Sequence, residues 1–448
     1  MVLKAGKILL LVDLGQGTCP LGSINAGSEH MQYKIIAFWQ DRLLLETFKH
    51  GLALPCFSPN RTHLAETGEI AAFLQEKFGV KANVLQCVHD EGGMRVYSVS
   101  ILESGLENDI YWASYHEAAS LLSAKDAHFL NEWKSLQADR SVPWFSPDWR
   151  EGMERWVRNK LRTERIDFQQ IRSWERSVLF KIITGEENYY FKAVPKIFRH
   201  EVNVSTFLWE AGIKYIPAVI AADDSEGWLL IKEIQGELLG RAGKEQDWRE
   251  ALLALAGVQK LSVKEAGRLR EAGIPVRPLA SVVISGLRTA VESLLKDGTI
   301  SDGQFSRLAE STSEANLICS MLQTPLVPLS LEHGDFFGGN VILEEGLPII
   351  YDWSDSSLSH PFLSVTVFLN EAAELFSEEF ADELLEAYLS CWAEWGLEED
   401  LRKEYLNVQR IAPLFGLAVY QNEIFPFFQK NWDKNRIIQE YIQLWLDA

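Results

Sequence analysis

Paired cysteines, long apolar runs and excess basic charge are all missing from this chain of 448 residues. The five cysteines Cys19, Cys56, Cys87, Cys319 and Cys391 lie far apart without a C-x-x-C pair, which predicts reduced thiols. No apolar run reaches the roughly 18 residues of a membrane-spanning helix, and the run at 7–12 is too short for a signal sequence. These absences predict a soluble, cytoplasmic protein with no membrane partner.

The charge balance excludes another class of partner. A formal net charge of −20 disfavours binding to nucleic acid, because such proteins need basic patches to displace counterions from phosphates. An apolar fraction of 47% is ordinary for a globular protein, and the length predicts two or three domains. Neither internal repeats nor a glycine-rich phosphate loop is visible.

Strand and helix signals predict an α+β protein with four segments. Residues 1–145 mix strand patterns with a helix that ends at Gly79, and 146–167 form a linker helix after Pro143 and Pro147. Residues 168–236 contain paired strand patterns and one helix, which predicts a small sheet-rich lobe. Residues 237–448 are mainly helical from Trp248 onward and form a large lobe.

One strand pair inside the helical part carries polar side chains at fixed spacing. Asp335 is followed five residues later by Asn340 and twelve residues after that by Asp352, within "HGDFFGGNVILEEGLPIIYDW". The pattern predicts a hairpin that turns at Glu345-Gly346 and brings the ends at Asn340 and Asp352 together. Phosphoryl transfer needs a carboxylate near the attacking hydroxyl and oxygen ligands for Mg²⁺. Asp335 fits the base, and the other two fit the ligands.

This segment resembles the aminoglycoside phosphotransferase and choline kinase-like family, whose usual pattern is H-G-D-x-x-x-x-N followed by D-W. The resemblance covers about 168–448 and implies a two-lobed protein-kinase-like fold that uses ATP and Mg²⁺. It makes Asp335 the base for a small-molecule hydroxyl, and Asn340 and Asp352 the magnesium ligands. His333 would hold the loop through backbone hydrogen bonds, and Asp355 would replace part of a polar network that the family has after D-W.

The resemblance also implies a nucleotide site. Lys192 stands where the family has a lysine that contacts the nucleotide phosphates, and Glu201 on the following helix would be its partner. The connection Lys232-Glu233-Ile234 resembles the segment whose backbone contacts adenine.

Two departures affect the acceptor. Phe337-Gly338 replaces a frequent His-Pro, and Ser359-His360-Pro361 replaces Gly-Asp-Pro. Amino sugars, amino alcohols and sugars remain candidate acceptors. The net charge of −10 over 361–448 favours a cationic one, although polar helix faces explain the same charge. A nucleotide-binding pseudokinase or sensor is the alternative function.

The first segment resembles a Nudix domain, an α/β class whose helix carries R-E-x-x-E-E-x-G. Aligned on Gly79, only Glu76 agrees, while Ala72, Phe73 and Lys77 replace the arginine and the two other glutamates. Because a Nudix hydrolase needs clustered carboxylates for its metal, a non-catalytic scaffold, lid or sensor is expected. A hydrolase acting through this segment and an unrelated α+β domain are the alternatives.

Overall fold

The computed structural model describes residues 31–49, 51–65, 67–103 and 110–447. The described residues form two compact units. The N-terminal unit contains those up to Lys196 together with Trp228–Leu230, and the C-terminal unit contains Ile197–Gly227 and the residues from Ile231 onward. The apolar run at 7–12 and Cys19 lie outside the described residues.

The N-terminal unit begins with a seven-stranded mixed sheet in the order β3-β2-β1-β6-β5, with β4 beside β1 and β7 beside β2. Strands β1 and β6 are parallel. The elements are β1 (Gln32–Trp39), β2 (Arg42–Phe48), β3 (Gly51–Ala53), β4 (Cys56–Phe57), α1 (Gly68–Phe78), β5 (Lys81–Glu91), β6 (Met94–Glu103), β7 (Ile110–Ser114), α2 (Tyr115–Leu121), α3 (Ala124–Leu136), α4 (Trp149–Leu161), β8 (Asp167–Ser173), β9 (Val178–Ile183) and β10 (Asn188–Ala193).

Local sequence signals account for the turns of this unit. Gly79 ends α1 in the left-handed conformation (φ 64°), as the sequence predicts. Gly92 and Gly93 also have positive φ angles and join β5 to β6.

Strand β8 joins the first sheet to a second one within the same unit. The Gln170 side chain donates to Val84 O at 2.7 Å and accepts from Val84 N at 2.8 Å, while the Ser173 hydroxyl donates to Leu85 O at 2.6 Å. The strands of the second sheet that begin in this unit run in the order β12-β10-β9-β8, where β12 spans Trp228–Lys232. An aromatic cluster that includes Trp156, Phe191 and Trp228 packs beside it.

The C-terminal unit is mainly helical. Its elements are α5 (His200–Glu210), β11 (Val219–Asp223), β13 (Glu237–Leu238), α6 (Leu239–Ala242), α7 (Glu245–Lys264), α8 (Ala266–Glu271), α9 (Leu279–Lys296), α10 (Asp302–Glu310), α11 (Thr312–Met321), β14 (Ser330–Glu332), β15 (Val341–Glu344), β16 (Leu347–Ile350), β17 (Ser357–Ser359), α12 (Val365–Leu375), α13 (Glu378–Ser390), α14 (Glu398–Val419) and α15 (Lys434–Leu446).

Two small sheets support the polar segment that the sequence singles out. Strand β15 lies between β13 and β16, and β14 pairs with β17. The Phe336 ring stacks on Phe368 of α12 at 4.6 Å, and Phe368 contacts Trp248 of α7 at 4.5 Å. The predicted α+β class, with a sheet-rich part followed by a helical part, is confirmed.

Two expected absences can be compared with the described part of the chain. No helix there is long and apolar enough to cross a membrane. Cys56, Cys87, Cys319 and Cys391 are free thiols.

Candidate functional site

The predicted hairpin is confirmed. Strands β15 and β16 pair with Val341 opposite Ile350, and they turn at Glu345 and Gly346, which have φ angles of 52° and 84°. Two successive positive φ angles are the requirement of a tight hairpin turn. The Tyr351 N–H donates to Asn340 O at 3.1 Å, so pairing continues to the residue before Asp352. The two polar strand ends therefore lie side by side.

Loop 333–340 folds back on itself, so that Asn340 at its end lies beside Asp335. A single 3₁₀ turn at Gly338–Asn340 folds the chain back into β15. The Asn340 amide nitrogen then donates to Asp335 O at 2.8 Å and to Asp335 Oδ2 at 3.1 Å. The first bond holds the backbone of the loop, and the second orients the Asp335 carboxylate.

The other end of the Asn340 amide suits a metal ion. Asn340 is 1% exposed, and no described residue donates a hydrogen bond to its Oδ1 atom. A buried carbonyl oxygen without a donor is costly, and a cation would satisfy it. Asp352 has a φ angle of 64°, unusual for a residue with a side chain, and its Oδ1 accepts the Ser354 hydroxyl at 2.8 Å. Asn340 and Asp352 thus fit Mg²⁺, which uses few protein ligands alongside phosphate oxygens and water.

The described His, Cys, Asp and Glu side chains form no group of three or more that would hold a metal.

His333 is buried and connects the loop to the hairpin. Its Nδ1 atom accepts the Asp335 N–H at 3.3 Å, so the other ring nitrogen, Nε2, carries the proton and donates to Tyr351 O at 3.1 Å. Its own N–H donates to the Ser364 hydroxyl at 2.9 Å. His333 therefore holds the backbone before Asp335 against the backbone before Asp352.

Gly334 and Asp355 lie in close contact behind the loop. Gly334 has a φ angle of 85°, and a Cβ atom there would lie 2.5 Å from Asp355 O. Asp355 Oδ1 accepts the Tyr420 hydroxyl at 3.1 Å, from a π-helical turn at Tyr420–Ile424. Such turns are frequent at functional sites. Only glycine at position 334 allows this approach of the two backbones.

Sequence reasoning missed three residues beside the loop. Glu371 of α12 accepts the Gly338 N–H at 2.7 Å, and Glu332 accepts the Gly334 N–H at 2.6 Å. Arg277 is 5% exposed. Burial raises the pKa of Glu332 and lowers that of His200, and the charge of Arg277 opposes the first shift and adds to the second. Of the three, only Glu332 could have been found from the sequence, because it directly precedes the motif. Glu371 and Arg277 come from distant parts of the chain.

The residues predicted to bind the nucleotide fall in both units. Lys192 lies on β10 in the N-terminal unit. Glu201 belongs to the C-terminal unit, in the first turn of α5, and is 3% exposed. Lys192 and Glu201 therefore lie on separate elements of the two units.

The connection that begins at Lys232-Glu233-Ile234 is bound to the hairpin. The Gln235 N–H donates to Glu344 Oε1 at 2.8 Å, and Leu238 of β13 pairs with Ile342 of β15. A Cβ atom on Gly236 would overlap the backbone of Leu343. This segment is thus fixed to the strand that starts at Asn340.

Helix α1, which the sequence aligns with the Nudix motif, belongs to no metal-binding cluster of acidic side chains among the described residues. Lys77 forms an ion pair with Glu46 of β2, and Phe73 stacks on Phe57 at 4.5 Å. Glu76 is exposed. Glu69 accepts the backbone N–H groups of the loop at 60–61. An ammonium group therefore occupies a position where a Nudix site needs a metal ligand.

A model of the phosphotransferase enzyme family matches residues 98–398, more than half of the chain. The chain therefore belongs to the phosphotransferase enzyme family. Among curated proteins, none matches the chain significantly.

Solved structures show distant similarity. An ethanolamine kinase from Plasmodium vivax shares 16% identity over 64% of this chain and 83% of its own, with a TM-score of 0.45. The GDP and kanamycin complex of APH(2")-IIia shares 16% sequence identity over 66% of this chain and 97% of its own, with a TM-score of 0.46. A choline kinase from Streptococcus pneumoniae shares 16% sequence identity over 66% of this chain and 100% of its own, with a TM-score of 0.40.

Proposed function

We propose that the chain transfers the γ-phosphoryl group of ATP to a hydroxyl group of a small molecule, with Asp335 as the base. Membership of the phosphotransferase enzyme family supports the reaction class. The observation that carries the proposal is the Asn340 amide: its nitrogen donates to Asp335 Oδ2 and to the Asp335 backbone oxygen, while its buried oxygen has no described donor. One side chain thus links the base to the metal position.

In this reaction the acceptor oxygen forms a bond to the γ-phosphorus while the bond to the β,γ-bridging oxygen breaks. The bonding electrons leave with ADP, and the hydroxyl proton passes to the Asp335 carboxylate. Bound Mg²⁺ would neutralise phosphate charge. Asn340 and Asp352 would hold it, and Lys192 would contact the phosphates with Glu201 as its partner. The backbone of 232–234 would face adenine.

The acceptor class remains an amino sugar, an amino alcohol or a sugar. Acidic residues of α13 form surface ion pairs, since Arg402 contacts Asp382 at 3.2 Å and Glu386 at 3.4 Å. These carboxylates have partners on a solvated helix face, so we do not assign them to acceptor binding. Asp355, whose backbone lies against Gly334 of loop 333–340, is better placed to meet a cationic acceptor.

We further propose that the segment 1–145 is not catalytic. The ion pair of Lys77 with Glu46 supports this proposal, because it opposes metal binding at the Nudix-like helix. A role of this segment as a scaffold, lid or ligand sensor would appear as a change in the acceptor KM when its surface residues are altered.

The direct test is magnesium-dependent ATP turnover against a panel of amino sugars, amino alcohols and sugars. Asp335→Ala should lower kcat at least about 100-fold, the usual contribution of a general base, without weakening ATP binding. Asp302→Ala, at an exposed position of α10, is the matched control and should retain activity. Full activity in Asp335→Ala would exclude that residue as the base. ATP binding without turnover for any acceptor would favour the sensor alternative.

A further inference from the structure

Glu332 is a buried acidic residue to which the family motif assigns no role. It is the last residue of β14, directly before His333-Gly334-Asp335, and it is 4% exposed. Its partner across the strand pair is Ser357 of β17. An acidic side chain is rarely buried to this extent unless its oxygens have partners.

Both carboxylate oxygens of Glu332 have partners. Oε1 accepts the Gly334 N–H at 2.6 Å, and Oε2 accepts the Ser357 hydroxyl at 3.3 Å. The short bond to Gly334 matters because a bond to a charged acceptor is about twice as strong as a neutral one. Glu332 therefore holds the backbone of Gly334, the one residue between His333 and Asp335, by a hydrogen bond.

Burial disfavours the ionised carboxylate, and two charged side chains act on it in opposite directions. Arg277, from the segment before α9, stabilises the negative charge, and Arg277 is itself held by Glu423 with an Nη2–Oε2 distance of 2.9 Å. Asp355, from the segment before β17, opposes the charge. The side chains that α7 and the turn before α12 direct at the backbone of 331–333 are the uncharged hydroxyls of Ser262 and Ser364.

We propose that Glu332 is a positioning residue for Asp335: its ionised carboxylate fixes Gly334 and thereby sets the direction of the Asp335 side chain. The kinetic part of this inference rests on the proposed phosphotransferase function. A shift of about 1 Å in a reacting group costs about 100-fold in rate, so a loosened Gly334 would lower kcat. Nucleotide binding would not change, because the hydrogen-bond partners of Glu332 are not residues assigned to the nucleotide.

The same residue gives activity a dependence on pH. Burial raises the pKa of the Glu332 carboxyl to about 7, with Asp355 acting in the same direction and the Gly334 N–H, Arg277 and Ser357 opposing it. As pH falls through 7, the Glu332 carboxylate gains a proton, and the Gly334 N–H then donates to a neutral acceptor instead of a charged one. We therefore expect kcat to fall below pH 7 as Glu332 becomes protonated.

Three variants test the proposal in the full chain. Glu332→Gln keeps an acceptor oxygen for Gly334 but does not titrate, so the fall in kcat below pH 7 should disappear. Glu332→Leu removes the acceptor and should lower kcat about 100-fold with the nucleotide KM unchanged. Glu404→Gln is the matched control: Glu404 is also buried and accepts the backbone N–H groups of Leu326 and Val327, outside loop 333–340. Its pH profile should equal that of the unmodified chain.

Hydrogen exchange provides a readout that needs no activity. In the unmodified chain, amides at 333–340 should become more protected between pH 6 and pH 8, after correction for intrinsic rates, whereas Glu332→Gln should show no such change. If no acceptor is phosphorylated, the proposed function fails, and the exchange data still decide the role of Glu332. An unchanged acidic limb in Glu332→Gln, or equal exchange at 333–340 in all variants, would overturn the proposal.

Discussion

Gly334→Ala tests whether the contact between loop 333–340 and Asp355 is as tight as the structure indicates. The new Cβ atom would lie 2.5 Å from Asp355 O and 2.6 Å from its carbonyl carbon. Because both obstacles are backbone atoms, neither can rotate away. The φ angle of 85° costs a residue with a side chain roughly 1–2 kcal/mol, and overpacking adds typically about 1–3 kcal/mol. We expect the free energy of unfolding to fall by about 2–5 kcal/mol.

Gly346→Ala is the matched control for this substitution. Gly346 has nearly the same φ angle, 84°, but no heavy atom beyond its chain neighbours lies within 4 Å of the position that an added Cβ atom would take. It should therefore lose only the conformational cost of roughly 1–2 kcal/mol. Urea unfolding followed by tryptophan fluorescence measures both losses. Equal losses in the two variants would refute the claim that the Asp355 backbone forces glycine at position 334.

Three further predictions concern single buried side chains. The pKa of Glu332 is raised from 4.5 to about 7, so between these values the folded chain keeps a proton that the unfolded chain releases, and stability falls as pH rises. Glu332→Gln should remove this slope from unfolding free energies measured between pH 5 and 8, and an unchanged slope would assign it to another group. Burial lowers the pKa of His200 from 6.5 to about 4, so the contribution of the neutral imidazole to stability is present above pH 6.5 and is lost as pH falls toward 4. His200→Gln should flatten the dependence of the unfolding free energy on pH between these two values. Phe191→Ala, in the aromatic cluster of the N-terminal unit, should cost about 3–5 kcal/mol in chemical denaturation, and a loss below about 1 kcal/mol would mean that the cluster contributes little.

Local patterns were enough to predict most of the elements around the site. The hairpin of β15 and β16 follows from two apolar runs joined by Glu345-Gly346, and the end of α1 follows from Gly79. Both are short-range features, in which a few neighbouring residues fix the backbone angles.

The joining of the first and second sheets was beyond such reasoning. The side chains of Gln170 and Ser173 bind the backbone of β5, although more than 80 residues separate them from Val84 and Leu85. Nothing in the pattern of β8 distinguishes a strand that joins two sheets from an ordinary edge strand. The N-terminal unit therefore extends well beyond position 145, through β10.

The sequence by itself determined the arrangement of three polar residues: Asp335, Asn340 and Asp352 stand at a spacing that a hairpin converts into proximity. That inference needs only strand pairing, which is a local and regular geometry. Only the tertiary structure decided how the loop is held, because Glu332 acquires its raised pKa from burial and its partners from β17 and the segment before α9. Burial and long-range charge depend on the whole fold, so no motif around Asp335 could reveal them.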